Sequence, residues 1–159
     1  MQTESTLEEL LRAEVDATLI RVNPELPLAD DATLEECTLP ILSSGLFKQR
    51  ELAGTAHGLA KAGLGTAVEA QPLWSALTAQ IVAQLSDFPP RELATVAWAL
   101  AKGRQRSVLV DEAFQGIFAA VAPRLSAFSP QGLTNLVWAF ATSGQTPPES
   151  LLADLERVA

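Results

Sequence analysis

PRELATVAWALAKG, residues 90–103, holds no metal cluster and no nucleotide loop, yet the chain writes it three times. Upstream stands RELAGTAHGLAKAG (50–63) and downstream PQGLTNLVWAFATSG (130–144). Phe88, Pro90, Leu93, Trp98, Ala99 and Ala101 recur forty residues later as Phe128, Pro130, Leu133, Trp138, Ala139 and Ala141. At an offset of forty-one, Phe47, Arg50, Glu51, Leu52, Ala53, Ala56, Leu59, Ala60 and Lys61 match Phe88, Arg91, Glu92, Leu93, Ala94, Ala97, Leu100, Ala101 and Lys102. His57 takes the slot that Trp98 and Trp138 hold in the later copies. Self-similarity at such a period is the signature of a repeat architecture.

Each copy reads as a pair of helices. A proline at the first helical position lacks an N–H that would have no partner there, so the first helix is expected from about Pro90 to Lys102. Ser129 supplies a cap in the third copy. Gly63, Gly103 and Gly144 stand where a helix end calls for a left-handed residue. The second helix is marked by Phe114, Ile117, Phe118, Val121 and Leu125, an apolar stripe of helical period, and in the first copy by Trp74, Leu77, Ile81 and Leu85. The third copy opens it with Thr146-Pro-Pro-Glu149, a capping-box pattern, and continues through Leu151, Leu152 and Leu155. Loops at 63–71 and 103–109 join the paired helices.

A helix pair of about forty residues cannot bury its apolar face alone, so neighbours must stack. The expectation is an all-α protein: an α-solenoid of about three helix-hairpin repeats (46–87, 88–127 and 128–159) with an N-terminal helical cap. Segment 1–45 is that cap or a degenerate repeat, with helices around 5–20 and 31–44 separated by Pro24, Pro27 and Asp30-Asp31.

Composition agrees. The chain has 159 residues, 48% of them hydrophobic, with no Tyr, and Ala and Leu dominate over β-branched types, which favours helix. One cysteine, Cys37, excludes an internal disulfide and reads as a small buried hydrophobe. No apolar run reaches the ~18 residues of a membrane helix, so no membrane partner is expected. The net charge of −8 is unevenly spread. Residues 1–45 hold ten acidic and two basic side chains, residues 46–143 hold six and eight, and residues 144–159 hold three and one. The echoed region is therefore mildly basic, which permits an anionic partner. The opening MQTESTLEELLRAEVDATLI is rich in acids, unlike a transit or signal peptide.

The pattern Pro-x-x-Leu-x-x-x-x-Trp-Ala-x-Ala, followed by a second helix and repeating near forty, resembles the octotricopeptide repeat of algal organelle proteins. It is similar to the repeats of FAST-kinase-like mitochondrial proteins and to helical repeats of RNA-editing substrate-binding complex proteins. The resemblance covers roughly residues 46–159 and is clearest over 88–143; in the first copy His57 replaces Trp and Lys48-Gln49 replaces Pro-Pro. It implies an α-solenoid that binds single-stranded RNA in a mitochondrion or chloroplast, in RNA processing, stability, editing or translation, with other RNA-processing proteins as further partners.

A helical wheel places Leu93, Val96, Ala97 and Leu100 on the face that meets the second helix, and Arg91, Thr95, Trp98 and Lys102 together on the other side. The matching positions are Arg50, Gly54, His57 and Lys61 in the first copy, and Gln131, Asn135, Trp138 and Thr142 in the third. As an RNA groove, this face would set Arg50, Lys61, Arg91 and Lys102 against phosphates. Thr95 and Asn135 would meet base edges, with Gln131 a further RNA contact on the same face, and His57, Trp98 and Trp138 would be stacking platforms. Trp98 and Trp138 also read as wedges between adjacent repeats, where a large ring fills space against small Ala neighbours. Arg104 and Arg106 read as solvated charges.

No enzyme is expected. His57 is the only histidine and has no nucleophile or acid at a catalytic spacing. The acidic pairs Glu8-Glu9, Asp30-Asp31 and Glu35-Glu36 lack a calcium-loop pattern or a zinc partner, and no Gly-rich phosphate motif is present, so no cofactor or metal is assigned. The alternative to RNA binding is a protein–protein interaction scaffold, since solenoids present broad surfaces.

Overall fold

A computed structural model of the chain describes residues 47–158. The N-terminal cap with its expected helices, and Cys37, lie outside the described residues. Within them the chain is all-helical, with no strand. Six α-helices follow in order: α1 (Gln49–Lys61), α2 (Gln71–Gln84), α3 (Pro90–Lys102), α4 (Val108–Val121), α5 (Pro130–Ser143) and α6 (Glu149–Val158). Short 3-10 segments at Val68–Ala70, Leu85–Asp87 and Ala122–Ala127 bracket the second helices.

The first helices pack on one another. α3 lies between α1 and α5, while α2 packs against α4, and α6 against the 3-10 segment Ala122–Ala127. This middle position explains why α3 buries more than the expected stripe. Leu93, Val96, Ala97 and Leu100 are buried, and so are Ala94, Ala99 and Ala101, which turn toward the flanking first helices. Small side chains there let the backbones approach closely. The second helices supply bulk: Phe114 and Phe118 of α4 meet Phe140 of α5 at centroid distances of 6.4 and 4.9 Å in edge-on contacts, a favoured aromatic geometry.

Two features recur within the helix pairs. Each pair begins on a buried phenylalanine, Phe47, Phe88 or Phe128. Gln84 Nε2 donates to the Phe47 carbonyl at 3.0 Å, and forty residues on Arg124 Nη1 donates to the Phe88 carbonyl at 2.9 Å. In the first two pairs the end of the second helix, or the 3-10 segment that follows it, thereby holds the entry to its own pair. Arg124, also bonded to the Ala120 carbonyl, is a structural residue rather than a free cation.

Helix ends follow the expected chemistry with three corrections. Ser129 Oγ accepts from the Gly132 N–H at 3.0 Å, and Ser107 Oγ, which pattern reading overlooked, accepts from the Val110 N–H at 3.1 Å. Gly63 and Gly144 have φ of 78° and 74°, but Gly103 does not: it is right-handed at φ −74°, and Arg104 takes the positive φ of 53°. The two helix ends superpose at the offset of forty-one, Gly63 on Arg104, because Leu64 N–H donates to the Leu59 carbonyl just as Gln105 N–H donates to that of Leu100, the bonding of a Schellman end. Gly103 is glycine for space instead. A Cβ there would stand 3.0 Å from the buried Trp74 ring, and one on Gly65 would stand 2.1 Å from the Gly103 carbonyl oxygen. The third correction concerns Thr146, which makes no capping bond: α6 starts at Glu149, and Leu152 N–H bonds the Pro148 carbonyl.

The 103–107 loop is tied down rather than solvated. Gln105 is buried and its Nε2 donates to the carbonyls of Gly65 at 2.6 Å and Gly103 at 2.9 Å, joining two interhelical loops. Arg106 Nη1 donates to the Ser143 carbonyl at the end of α5, so Arg106 caps a helix end, in line with the preference for cations there. Only Arg104 of the two loop arginines retains the expected solvated role.

Candidate nucleic-acid interface

The ten residues singled out from the sequence fall on the three first helices: Arg50, His57 and Lys61 on α1, Arg91, Thr95, Trp98 and Lys102 on α3, and Gln131, Asn135 and Trp138 on α5. None of them is buried. Because α1, α3 and α5 pack side by side, the shared register brings equivalent positions into a row.

The aromatic positions form the spine of that row. The rings of His57 and Trp98 stand 5.1 Å apart and tilted by 33°; those of Trp98 and Trp138 stand 6.2 Å apart and tilted by 31°. These are tilted pairs within the attractive range for aromatic rings. Trp98 has a ring on either side and packs on the core, whereas Trp138 ends the row with 40% of its surface exposed. Wedge and platform therefore describe different parts of one side chain: the ring joins helices while its outer edge reaches solvent.

Beside the spine, the α1/α3 seam opens a cleft of about 480 Å³. Arg50 and Arg91 flank it, Gly54 leaves its floor open because it carries no side chain, and His57, Thr95 and Glu92 complete the wall. A second cleft of about 250 Å³ lies at the other end of the seam, with Lys102 and Arg104 on its rim beside Gly63 and Gly65. Lys61 is exposed at the end of α1, eleven residues from Arg50, which is about 16 Å along a helix axis. None of Arg50, Lys61, Arg91, Lys102 and Arg104 is held in an ion pair by another described residue; the described pair is Asp154–Arg157, on α6. Cations without a carboxylate partner keep their charge available for a mobile anion. Glu92 is the acidic member of the seam, and it sits in the first turn of α3, where the helix dipole favours a carboxylate.

The polar positions carry part of their hydrogen bonding internally. Thr95 Oγ1 donates to the Arg91 carbonyl at 2.9 Å, so its oxygen lone pairs are what it presents outward. Gln131 Nε2 donates to Asn135 Oδ1 at 3.1 Å, which fixes the Asn135 amide and leaves its NH₂ as the outward donor. An acceptor on α3 and a donor on α5 thus stand at positions forty residues apart in the sequence, Thr95 and Asn135.

The two seams differ in charge. α5 has no ionisable residue at all, from Pro130 to Ser143, while α1 and α3 each carry an Arg, a Glu and a Lys at matched positions. The basic seam is α1/α3; the α3/α5 seam offers rings and amides.

Among the described residues, no group of three His, Cys, Asp or Glu side chains is placed to hold a metal ion, and no helix is long and apolar enough to cross a membrane. No protein-family model matches the chain, and comparison with curated proteins and with solved structures returns no match.

Proposed function

We propose that the chain is a short α-solenoid, three helix-hairpin repeats long over residues 46–159, whose layer of first helices binds single-stranded RNA. The observation that carries this reading is the row His57–Trp98–Trp138 running beside the Arg50/Arg91 cleft. Rings with solvent-reachable edges next to unpaired cations are what single-strand binding needs: bases stack on the rings while phosphates meet the charges. An A-form duplex keeps its bases stacked inside and presents none to such rings. The resemblance to octotricopeptide-type repeats supports the same reading and extends it to RNA metabolism in a mitochondrion or chloroplast. In this reading the chain binds and positions RNA without chemistry of its own, and His57 belongs to the ring row.

The test is fluorescence anisotropy with a labelled single-stranded RNA of mixed sequence, beside a duplex of equal length. Binding of the single strand in preference to the duplex is the expected outcome. Equal affinity for both would reduce the interaction to charge alone, and absence of binding at low salt would refute the proposal. The scaffold alternative is favoured by a different observation, the exposed apolar side chains Val137, Trp138, Leu152 and Val158 at the α5/α6 end.

A further inference from the structure

Two of the three first helices carry a glutamate at their third position, Glu51 on α1 and Glu92 on α3, where α5 has Gly132. Glu51 is used locally. Its Oε2 accepts from the Lys48 N–H at 3.2 Å and closes the turn that enters α1, as one half of a capping box does. Glu92 cannot do the same, because the residue three before it is Pro89, which has no N–H to give. Among the described residues no hydrogen bond or ion pair engages the Glu92 carboxylate. It stands half-buried in the wall of the α1/α3 cleft, with Arg50, Arg91, His57 and Thr95.

A place in the first turn of a helix suits a carboxylate in general. It does not explain one set in a cleft that meets phosphates, where the like charge opposes the ligand. An ionised carboxylate accepts hydrogen bonds and donates none. Thr95 spends its hydroxyl proton on the Arg91 carbonyl, so it too faces the cleft as an acceptor. The cleft therefore combines cations with acceptors, and what an RNA strand offers to acceptors is the donor edge of an unstacked base. Guanine alone carries two adjacent N–H donors on its Watson–Crick edge, N1–H and N2–H, spaced for the two oxygens of one carboxylate. Adenine and cytosine set their amine beside a ring-nitrogen lone pair, and uracil sets its N–H between two carbonyls. Each of these turns a lone pair toward the carboxylate.

We propose that the α1/α3 cleft is a guanine subsite, an inference that rests on the reading of this face as a single-strand RNA surface. Glu92 accepts from N1–H and N2–H of an unstacked guanine, the base lies against His57, and the neighbouring phosphates meet Arg50 and Arg91. The cleft volume of about 480 Å³ is that of a small-ligand pocket, and Gly54 leaves its floor open to a purine. Glu92 sets the preference; the arginines supply an attraction that every sequence shares. The α3/α5 seam has no counterpart, since Gly132 at this position packs near the Ala94 methyl.

The experiment is competition fluorescence anisotropy of the purified chain with single-stranded oligouridylates of equal length. They differ at one central position, which is guanosine, inosine, adenosine, cytidine or uridine. The guanosine strand is expected to bind about tenfold more tightly than the adenosine, cytidine and uridine strands, the scale on which a bidentate contact discriminates one base. Inosine lacks the N2 amine, keeps a single donor and should lose most of that preference. Glu92→Gln, with unchanged far-UV circular dichroism, should abolish the preference while binding the other strands as tightly as the native chain or more so, because a negative charge has left a cleft that meets phosphates. Equal binding of all the strands by the native chain overturns the guanine subsite and leaves the RNA surface standing. Inosine bound as tightly as guanosine overturns it as well, and so does a preference that survives Glu92→Gln. The inosine arm uses the native chain, so it decides the matter whatever the fold of the variant. Absence of binding to every strand overturns the RNA surface and the subsite together.

Discussion

Replacing Arg50 and Arg91 together by alanine removes both flanks of the α1/α3 cleft without touching a described hydrogen bond or ion pair of either side chain. If Arg50, Lys61, Arg91, Lys102 and Arg104 each neutralise one phosphate, the log–log salt slope of binding is about −3.5, at about 0.7 per phosphate on a single strand. Raising salt from about 50 mM to about 200 mM then weakens binding about 100-fold. With the two arginines gone, three contacts remain, the slope falls to about −2, and the same salt step costs only about 20-fold. Fluorescence anisotropy with a single-stranded RNA across a salt series reads both slopes, and circular dichroism checks that the fold is intact. An unchanged slope in the double variant would refute the assignment of these arginines to phosphates. A slope near zero in the native chain would refute the charged seam altogether.

Three further outcomes follow from the packing. Gly65→Ala drives a methyl into the Gly103 carbonyl oxygen, a backbone atom that cannot rotate away, so urea denaturation should show a loss of about 2–3 kcal/mol, and a neutral result would mean that the two loops do not meet. Trp98→Ala loses two ring contacts and Trp138→Ala only one; at about 0.5–1.5 kcal/mol per ring pair beyond burial, Trp98→Ala should be roughly twice as destabilising. Equal losses would contradict the central place of Trp98. Arg104→Gly relieves a left-handed residue at φ 53° and should raise stability by about 0.5–1 kcal/mol while lowering RNA affinity, two effects of opposite sign on one substitution. A loss of stability there would show that the Arg104 side chain packs.

The local elements of the chain were legible from its letters, for reasons that are themselves local. Proline, serine and lysine marked α3 from Pro90 to Lys102 and the start of α5, because caps and first-turn proline act within one helical turn. The offsets of forty and forty-one aligned three first helices, and their register alone put His57, Trp98 and Trp138 on matching positions. The reading of glycine as the left-handed helix end failed at Gly103, although the offset of forty-one already sets Gly63 against Arg104, which takes the positive φ; Gly103 answers to the Trp74 ring, a neighbour some thirty residues away. Arg106 read as a solvated charge and no pattern singled out Gln105 or Arg124, yet each is spent on a carbonyl brought near by packing, those of Ser143, Gly65 and Phe88. Periodicity can say which residues share a helix face. What lies opposite that face is decided by tertiary packing, and so only the structure could set Arg50 and Arg91 around one cleft, pass a row of rings across three helices, and leave the uncharged side of α5 open to solvent.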